Sequence, residues 1–219
     1  MDVAQALLKR QSVRAFLPQV PPADLVRKLI EDAGLSASGG NMQPWRVVAL
    51  AGEPLAEVVA LAAHTPPEGD EHNPSYPPNL WEPYRSRRFA NGEDLYRSLD
   101  IPRDNKVARL EQLAKNGQFF GAPVGLLVYT EERMNRAQWL DLGIYLQSLM
   151  LLAVENGLAT CAQGYWRRHA LALARHHQMP EGYHVAVGLA LGYADESASI
   201  NQWRATRAPF GEWAQLRGF

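Results

Sequence analysis

A chain of 219 residues with 47% apolar and 21% charged side chains has the make-up of one sizeable globular domain, not of a disordered segment. Its 22 basic and 23 acidic residues leave a formal charge of −1, which gives no global electrostatic grip on nucleic acid or an anionic membrane. The single cysteine, Cys161, excludes an internal disulfide and fits a reducing compartment.

The opening stretch MDVAQALLKR carries Asp2 early and lacks a cationic segment followed by an apolar one. A signal peptide is therefore not expected, and a cytoplasmic location is. Residues 2–9 read as a short helix that runs into RQSVR. There Arg10, Ser12 and Arg14 put two permanently ionised forks and a hydroxyl within five residues, the donors that suit a phosphate monoester. A solvated surface accounts for the same three residues. PPADLVRKLIEDAGLSAS follows as a helix: Pro21 and Pro22 open it, Leu25, Leu29 and Ile30 give it a stripe, and Gly34 ends it. The turn SASGGNMQP then offers Ser38, Gly39, Gly40, Asn41 and Gln43, small side chains and exposed N–H groups that a flat polar ligand can approach. A helix end followed by a turn explains Gly39 and Gly40 but not Asn41, Gln43 or Trp45. WRVVAL reads as a strand, and residues 54–63 as a helix.

Seven of the fifteen prolines fall within residues 65–104 (Pro66, Pro67, Pro74, Pro77, Pro78, Pro83, Pro102), where Tyr76, Trp81, Tyr84, Phe89 and Tyr96 alternate with arginines. A linker would carry fewer aromatics. The stretch reads as an excursion from one domain, with a short helix near 80–99 that serves as a lid or substrate wall. A solvated amphipathic helix is the plainer alternative. A helix near 105–117 leads to PVGLLVYT, apolar throughout as in a strand covered on both faces. RAQWLDLGIYLQSLMLLAVENGL is a long helix, closed by Gly157 and apolar around nearly its whole circumference, and is expected to be buried. Its uncharged run, 142–154, is too short to cross a bilayer. A strand at 159–164, a helix at 169–177 and the strand YHVAVGLALGYA complete an α+β domain around a central sheet. The final 24 residues hold Trp203, Phe210, Trp213 and Phe219 with no long periodic element, and a second cationic pair, Arg204 and Arg207. Such a tail needs a surface, either its own core or a partner subunit.

No G-x-G-x-x-G follows a strand, no P-loop motif exists, and the six histidines form no H-E-x-x-H, so no metal site is expected. Cys161, among apolar neighbours and without an evident base, reads as a small core residue.

Five segments, RQSVRAF, SASGGNMQPWRVV, FFGAPVGLLVY, DLGIYLQSLMLLAVENGLATCAQG and LGYADESASINQWRATRAPFGEW, come in the order and roughly the spacing of the FMN-dependent nitroreductase family. The chain resembles that family over nearly all its length apart from residues 65–104. The resemblance implies a nitroreductase-like α+β fold, with a central, mostly antiparallel sheet flanked by helices, in an intertwined homodimer with FMN at the interface. It further implies one FMN-binding domain over residues 1–219, interrupted by the lid-like insert at about 65–104.

By the same resemblance Arg10, Gln11, Ser12 and Arg14 hold the phosphate and ribityl end together with Arg207 and, depending on the register of the tail, Arg204. Ala37, Ser38, Gly39 and Asn41, with Gln43, border the flavin ring from the other subunit. Ala37 and Gly39 replace the family's common proline and serine, which removes one hydroxyl donor. Ala162, Gln163 and Gly164 lie against the opposite ring face. The protein then needs no metal and no catalytic side chain: the cofactor takes hydride from NAD(P)H and reduces a nitroaromatic or quinone in alternation. Tyr84, Arg88 and Phe89 of the insert, aromatic surface beside cations, suit an anionic aromatic such as a nitrobenzoate, and the insert looks like that of the nitrobenzoate-reductase branch. The rival readings are another flavin reaction on this fold (reductive dehalogenation, flavin fragmentation or enone reduction), a non-catalytic flavin-binding dimer, and a chance gathering of motifs in an unrelated domain.

Overall fold

Helix starts follow from local chemistry. In helix α1 (Val3–Lys9), Gln5 N–H donates to Asp2 Oδ1 at 2.7 Å and Asp2 N–H donates back to Gln5 Oε1 at 3.3 Å, a reciprocal cap that lets seven residues hold a helix. Helix α2 (Ala23–Ala33) begins after the Pro21-Pro22 pair and buries Val26, Leu29 and Ala33. Strand β1 (Arg46–Ala51) and helix α3 (Glu53–His64) follow. The computed structural model describes residues 1–68 and 76–219; His72, Pro74 and the rest of 69–75 lie outside the described residues. Within the insert, helix α4 (Tyr84–Arg97) is followed by helix α5 (Lys106–Ala114), capped by the Asn105 side chain on Ala108 N–H. Strand β2 (Val124–Glu131), helix α6 (Arg136–Glu155), strand β3 (Ala159–Gln163), helix α7 (Ala170–His176), strand β4 (Tyr183–Gly192) and the short helix α8 (Ser199–Gln202) complete the chain.

The four strands form one antiparallel sheet in the order β1-β2-β4-β3. β2 is buried along almost its whole length, as its unbroken apolar run requires. One face packs on α2 and α6 through Leu29, Leu142, Tyr145 and Leu149; the other packs on α3, α7 and the turns around Phe119 and Trp166. The Phe119 and Trp166 rings stack at 4.1 Å. That stack depends on two backbone features. Phe119 and Phe120 take left-handed φ of 48° and 55°, which throws one ring into the core and the other toward the open end of β3. Opposite them Gly188 of β4 has no side chain, and Trp166 occupies the space a Cβ would need.

By length and composition α6 would suffice to span a membrane, but Leu142, Tyr145, Leu149 and Ala153 lie on the sheet as in a core helix. The expectation that α6 is buried all round is not met: Leu140 is 72% and Ile144 45% exposed. One sheet covers only one side of a helix, and the described residues leave Leu140 and Ile144 uncovered. In the insert, Glu93 of α4 accepts two bonds from Arg109 of α5, at 2.6 and 3.1 Å, and fixes the two helices to each other.

Gly188→Ala should force Trp166 out of its stack and cost about 1–3 kcal/mol, as overpacking does. In a domain of this size that lowers Tm by roughly 2–12 °C. An unchanged thermal melt would show that the indole is free to move.

Candidate functional site

The two ends of the chain meet beside β3. Past α1 the backbone is extended: Ser12 bridges Thr160 of β3, and Val13 N–H donates to Thr160 O at 3.0 Å. Residues 15–17 then pair with 193–195 just beyond β4, through Asp195 N–H to Ala15 O at 3.0 Å and Leu17 N–H to Tyr193 O at 2.9 Å. The tail therefore leaves the sheet next to the N-terminal motif and runs back along it. Arg204 donates to Leu8 O at 2.5 Å and Lys9 O at 3.2 Å, carbonyls at the open end of α1. Arg207 donates to Ala205 O and Thr206 O and keeps its side chain at the surface.

Electrostatics state what this corner attracts. The Arg10 guanidinium is held below its ordinary value, by burial first, then by the charges of Arg207 and Arg204. No carboxylate is among the groups acting on it, in the described residues. Burial pushes the Cys161 thiol up, while Arg14, the Ser12 hydroxyl and Arg10 pull it partly back. So both arginines of the motif and its hydroxyl surround one point on β3. Cations gathered without an acid gain by binding an anion.

From there an open cleft of about 1260 Å³ extends along the end of β3 to the insert. That is ample for a cofactor-sized ligand, whose sites run to roughly 300–1,000 Å³. Arg14, Phe120 and Cys161 line its inner end; Ala162, Gln163 and Gly164 line the floor; Arg88, Phe89 and Arg168 line the outer end. Arg14 keeps its place through Nη1 to Ser12 O at 3.2 Å and stands 5.9 Å over the Phe120 ring. Arg88 lies over Tyr76 at 4.1 Å and Arg168 over Tyr165 at 5.7 Å.

The turn before β1 is a separate construction. Gly40, Asn41 and Gln43 have φ of 59°, 56° and 48°, left-handed values that glycine and asparagine tolerate best. Helix α6 holds it: Gly39 N–H donates to both oxygens of the buried Asp141, at 3.2 and 3.3 Å, and Ser36 Oγ donates to Ser148 Oγ at 2.9 Å. Gln43 N–H caps Ser38 Oγ at 3.0 Å, and Trp45 stacks on Tyr145 at 4.9 Å.

The structure thus brings Arg10, Ser12, Arg14, Arg204 and Arg207 to one corner, with Ala162, Gln163 and Gly164 beside it. Ala37, Ser38, Gly39, Asn41 and Gln43 do not line the cleft of their own chain. Three side chains differ from their expected use. Arg204 spends its fork on α1 and offers charge rather than free donors. Gln11 Nε2 turns inward to Asn201 O at 3.0 Å. Gln163 is 2% exposed, donating to Asn116 O at 2.8 Å and accepting from Trp166 Nε1, so only its backbone can face the cleft. In the insert, Arg88 and Phe89 reach the cleft. Tyr84 does not: at the edge of the helical stripe formed by 85, 88, 89 and 92, it packs edge-on against Trp81. The sequence reading missed Arg168 and Tyr165, although GYWRRH carries the same aromatic–cation mixture that marked the insert.

A family profile described as "Nitroreductase family" matches residues 7–193. The chain is 34% identical over 220 residues to a 4-nitrobenzoate reductase of Pseudomonas putida, covering 100% of this chain and 96% of that protein. Among solved structures it is similar to the FMN and NADPH-dependent nitroreductase NfnB from sphigopyxis sp. strain HMH, with a TM-score of 0.94 and 36% identity over 100% of both chains. It is also similar to the FMN-dependent nitroreductase NfnB from Mycobacterium smegmatis in complex with NADPH, with a TM-score of 0.88 and 30% identity over 99% of this chain and 100% of that one.

Asp141→Ala should free the 36–43 turn from α6. The lost charge-assisted bond is worth roughly 1.5–3 kcal/mol, and amide exchange at Gly39 should quicken by at least about tenfold. Hydrogen-exchange mass spectrometry reads this directly; an unchanged rate would mean that the carboxylate does not hold the turn.

Proposed function

The chain belongs to the nitroreductase family, and we propose that its arginine corner grips the phosphate of FMN while the cleft receives, in turn, NAD(P)H and a nitroaromatic. It is an FMN-dependent oxidoreductase that takes reducing equivalents from NAD(P)H. The observation that carries the assignment of residues is the seat of Arg204 on the Leu8 and Lys9 carbonyls beside Arg10, with Arg207 also acting on Arg10 and no carboxylate doing so among the described residues. A phosphate monoester carries the compact double charge that such a corner lacks. Ser12 and Arg14 extend the grip toward the cleft, and the backbone at 162–164 forms its floor.

FMN, held at its phosphate by Arg10, Ser12, Arg14 and Arg207, would supply the two-electron redox chemistry between NAD(P)H and the oxidant. The chain's own residues bind, orient and exclude water. One open cleft for two reactants gives ping-pong kinetics, and the protein need supply no metal or nucleophile.

We further propose a homodimer. The turn 37–43 is rigidly held yet stands away from the cleft of its own chain, α6 shows Leu140 and Ile144 to solvent, and the tail shows Phe210, Trp213 and Phe219. A second copy would cover these surfaces and bring its turn to the flavin ring. With no disulfide available and a buried thiol, the cytoplasm is its expected compartment.

The substrate class follows from the outer end of the cleft. Arg88 and Arg168, each lying on an aromatic ring and neither paired with a carboxylate among the described residues, suit a nitroarene that bears an acid group. Quinones are a second class of oxidant for the same cleft.

The purified protein should be yellow, should bleach on anaerobic addition of NADPH or NADH, and should regain colour with 4-nitrobenzoate. Colour that persists with both nucleotides would make it a flavin carrier, and a colourless protein that FMN does not reconstitute would end the reading. Arg88→Ala should raise KM for 4-nitrobenzoate by roughly three- to tenfold, the loss of one partly exposed ionic contact. KM for nitrobenzene should stay put; parallel shifts in both would deny Arg88 a role in reading the acid group.

A further inference from the structure

The arginines of the corner come from opposite ends of the chain, and neither end carries a regular element long enough to fix it. One buried side chain stands between them. Asn201, 7% exposed on α8, accepts at Oδ1 from Arg14 N–H at 2.9 Å and donates through Nδ2 to Ala15 O and Asp195 O, both at 2.8 Å. Its own carbonyl accepts from Gln11 Nε2 at 3.0 Å. The partners fix the amide orientation, since Arg14 N–H needs an acceptor and the two carbonyls need donors.

We propose that Asn201 is the positioning residue of the phosphate grip, setting Arg10 and Arg14 on one side against Arg204 and Arg207 on the other. The assignment rests on the reading of that corner as the FMN phosphate site. The backbone pairing of 15–17 with 193–195 ends at Asp195, where the tail turns away. From that point the Asn201 side chain takes over as a further rung, tying Arg14 and Ala15 to the tail across 187 and 186 residues of sequence. Arg14 is bonded to it directly and Arg10 lies four residues before. Arg204 and Arg207 lie three and six residues after it. No other side chain supplies one acceptor and two donors at so short a reach. Aspartate would set an oxygen against two carbonyls; alanine would leave Arg14 N–H without its acceptor and take one of two donors from each of Ala15 O and Asp195 O, which would keep Asp195 N–H and Ala198 N–H.

The test separates this role from general support of the fold by comparing flavins with and without the phosphate. Wild-type full-length protein stripped of flavin, with Asn201→Ala, Asn201→Ser and the control Asn135→Ala at the cap of α6, is titrated with FMN and with riboflavin, following flavin fluorescence. Asn201→Ala should weaken FMN binding by at least about tenfold while changing riboflavin binding by no more than about twofold. Asn135→Ala should lower Tm with the FMN-to-riboflavin preference intact. Equal losses for both flavins, or no loss for FMN, would overturn the proposal. If the alanine variant does not fold, Asn201→Ser, which keeps one hydroxyl in the same space, decides by the same ratio. A wild-type protein that binds riboflavin as tightly as FMN would instead remove the phosphate reading on which Asn201's role depends.

Discussion

The candidate site depends on holding like charges together at one corner of the sheet. Guanidinium groups brought together without an acid raise the free energy of the folded chain, and something else must hold them. Here backbone geometry does so. Arg204 is anchored on the carbonyls of α1, Arg14 on Ser12 O, and both stretches on Asn201. On the reading proposed above, an anion entering the corner would relieve that crowding and meet donors already in place. The large cores on either side of the sheet, with Trp166 and Phe119 on one face and Tyr145 and Leu149 on the other, supply the surplus that makes a repulsive corner tolerable.

The site is also divided. The cationic corner and floor belong to the sheet's β3 edge, whereas the left-handed turn at 39–43 is built on the opposite face and bonded to α6. Each is ordered by its own contacts, the turn by Asp141 and Ser148 of α6 and the corner by Thr160 and Asn201. That separation, with apolar Leu140 and Ile144 left uncovered, gives a physical reason for the homodimer proposed above: association completes a binding surface and buries a helix face in one step.

Much of this was legible in the sequence because it is written locally. Pro21-Pro22, Gly34 and Gly157 mark helix ends through chemistry within a few residues, and the apolar run PVGLLVYT announces a central strand. RQSVR and the Arg204–Arg207 pair could be singled out by residue type. What stayed hidden depends on contacts far apart in the chain. Nothing near Asn201 shows that its amide joins residues nearly two hundred positions away, and nothing in CAQG shows that the Gln163 side chain points into the core. Helix α6 misled for a related reason, since an apolar circumference does not say which cover belongs to the same chain. Tyr84 missed the cleft by its rotation on the helix, a matter of tens of degrees that composition does not encode.

The clamp between Glu93 and Arg109 bears on how such an enzyme changes over generations. The outer wall of the cleft carries an ion pair between α4 and α5 and aromatic–cation stacks of Arg88 on Tyr76 and Arg109 on Tyr96. On the reading proposed above, substitutions on that wall would change which aromatic compounds are accepted and leave the arginine corner as it is. A lineage meeting new nitro compounds would then explore new diets through the insert without relearning how to hold a flavin.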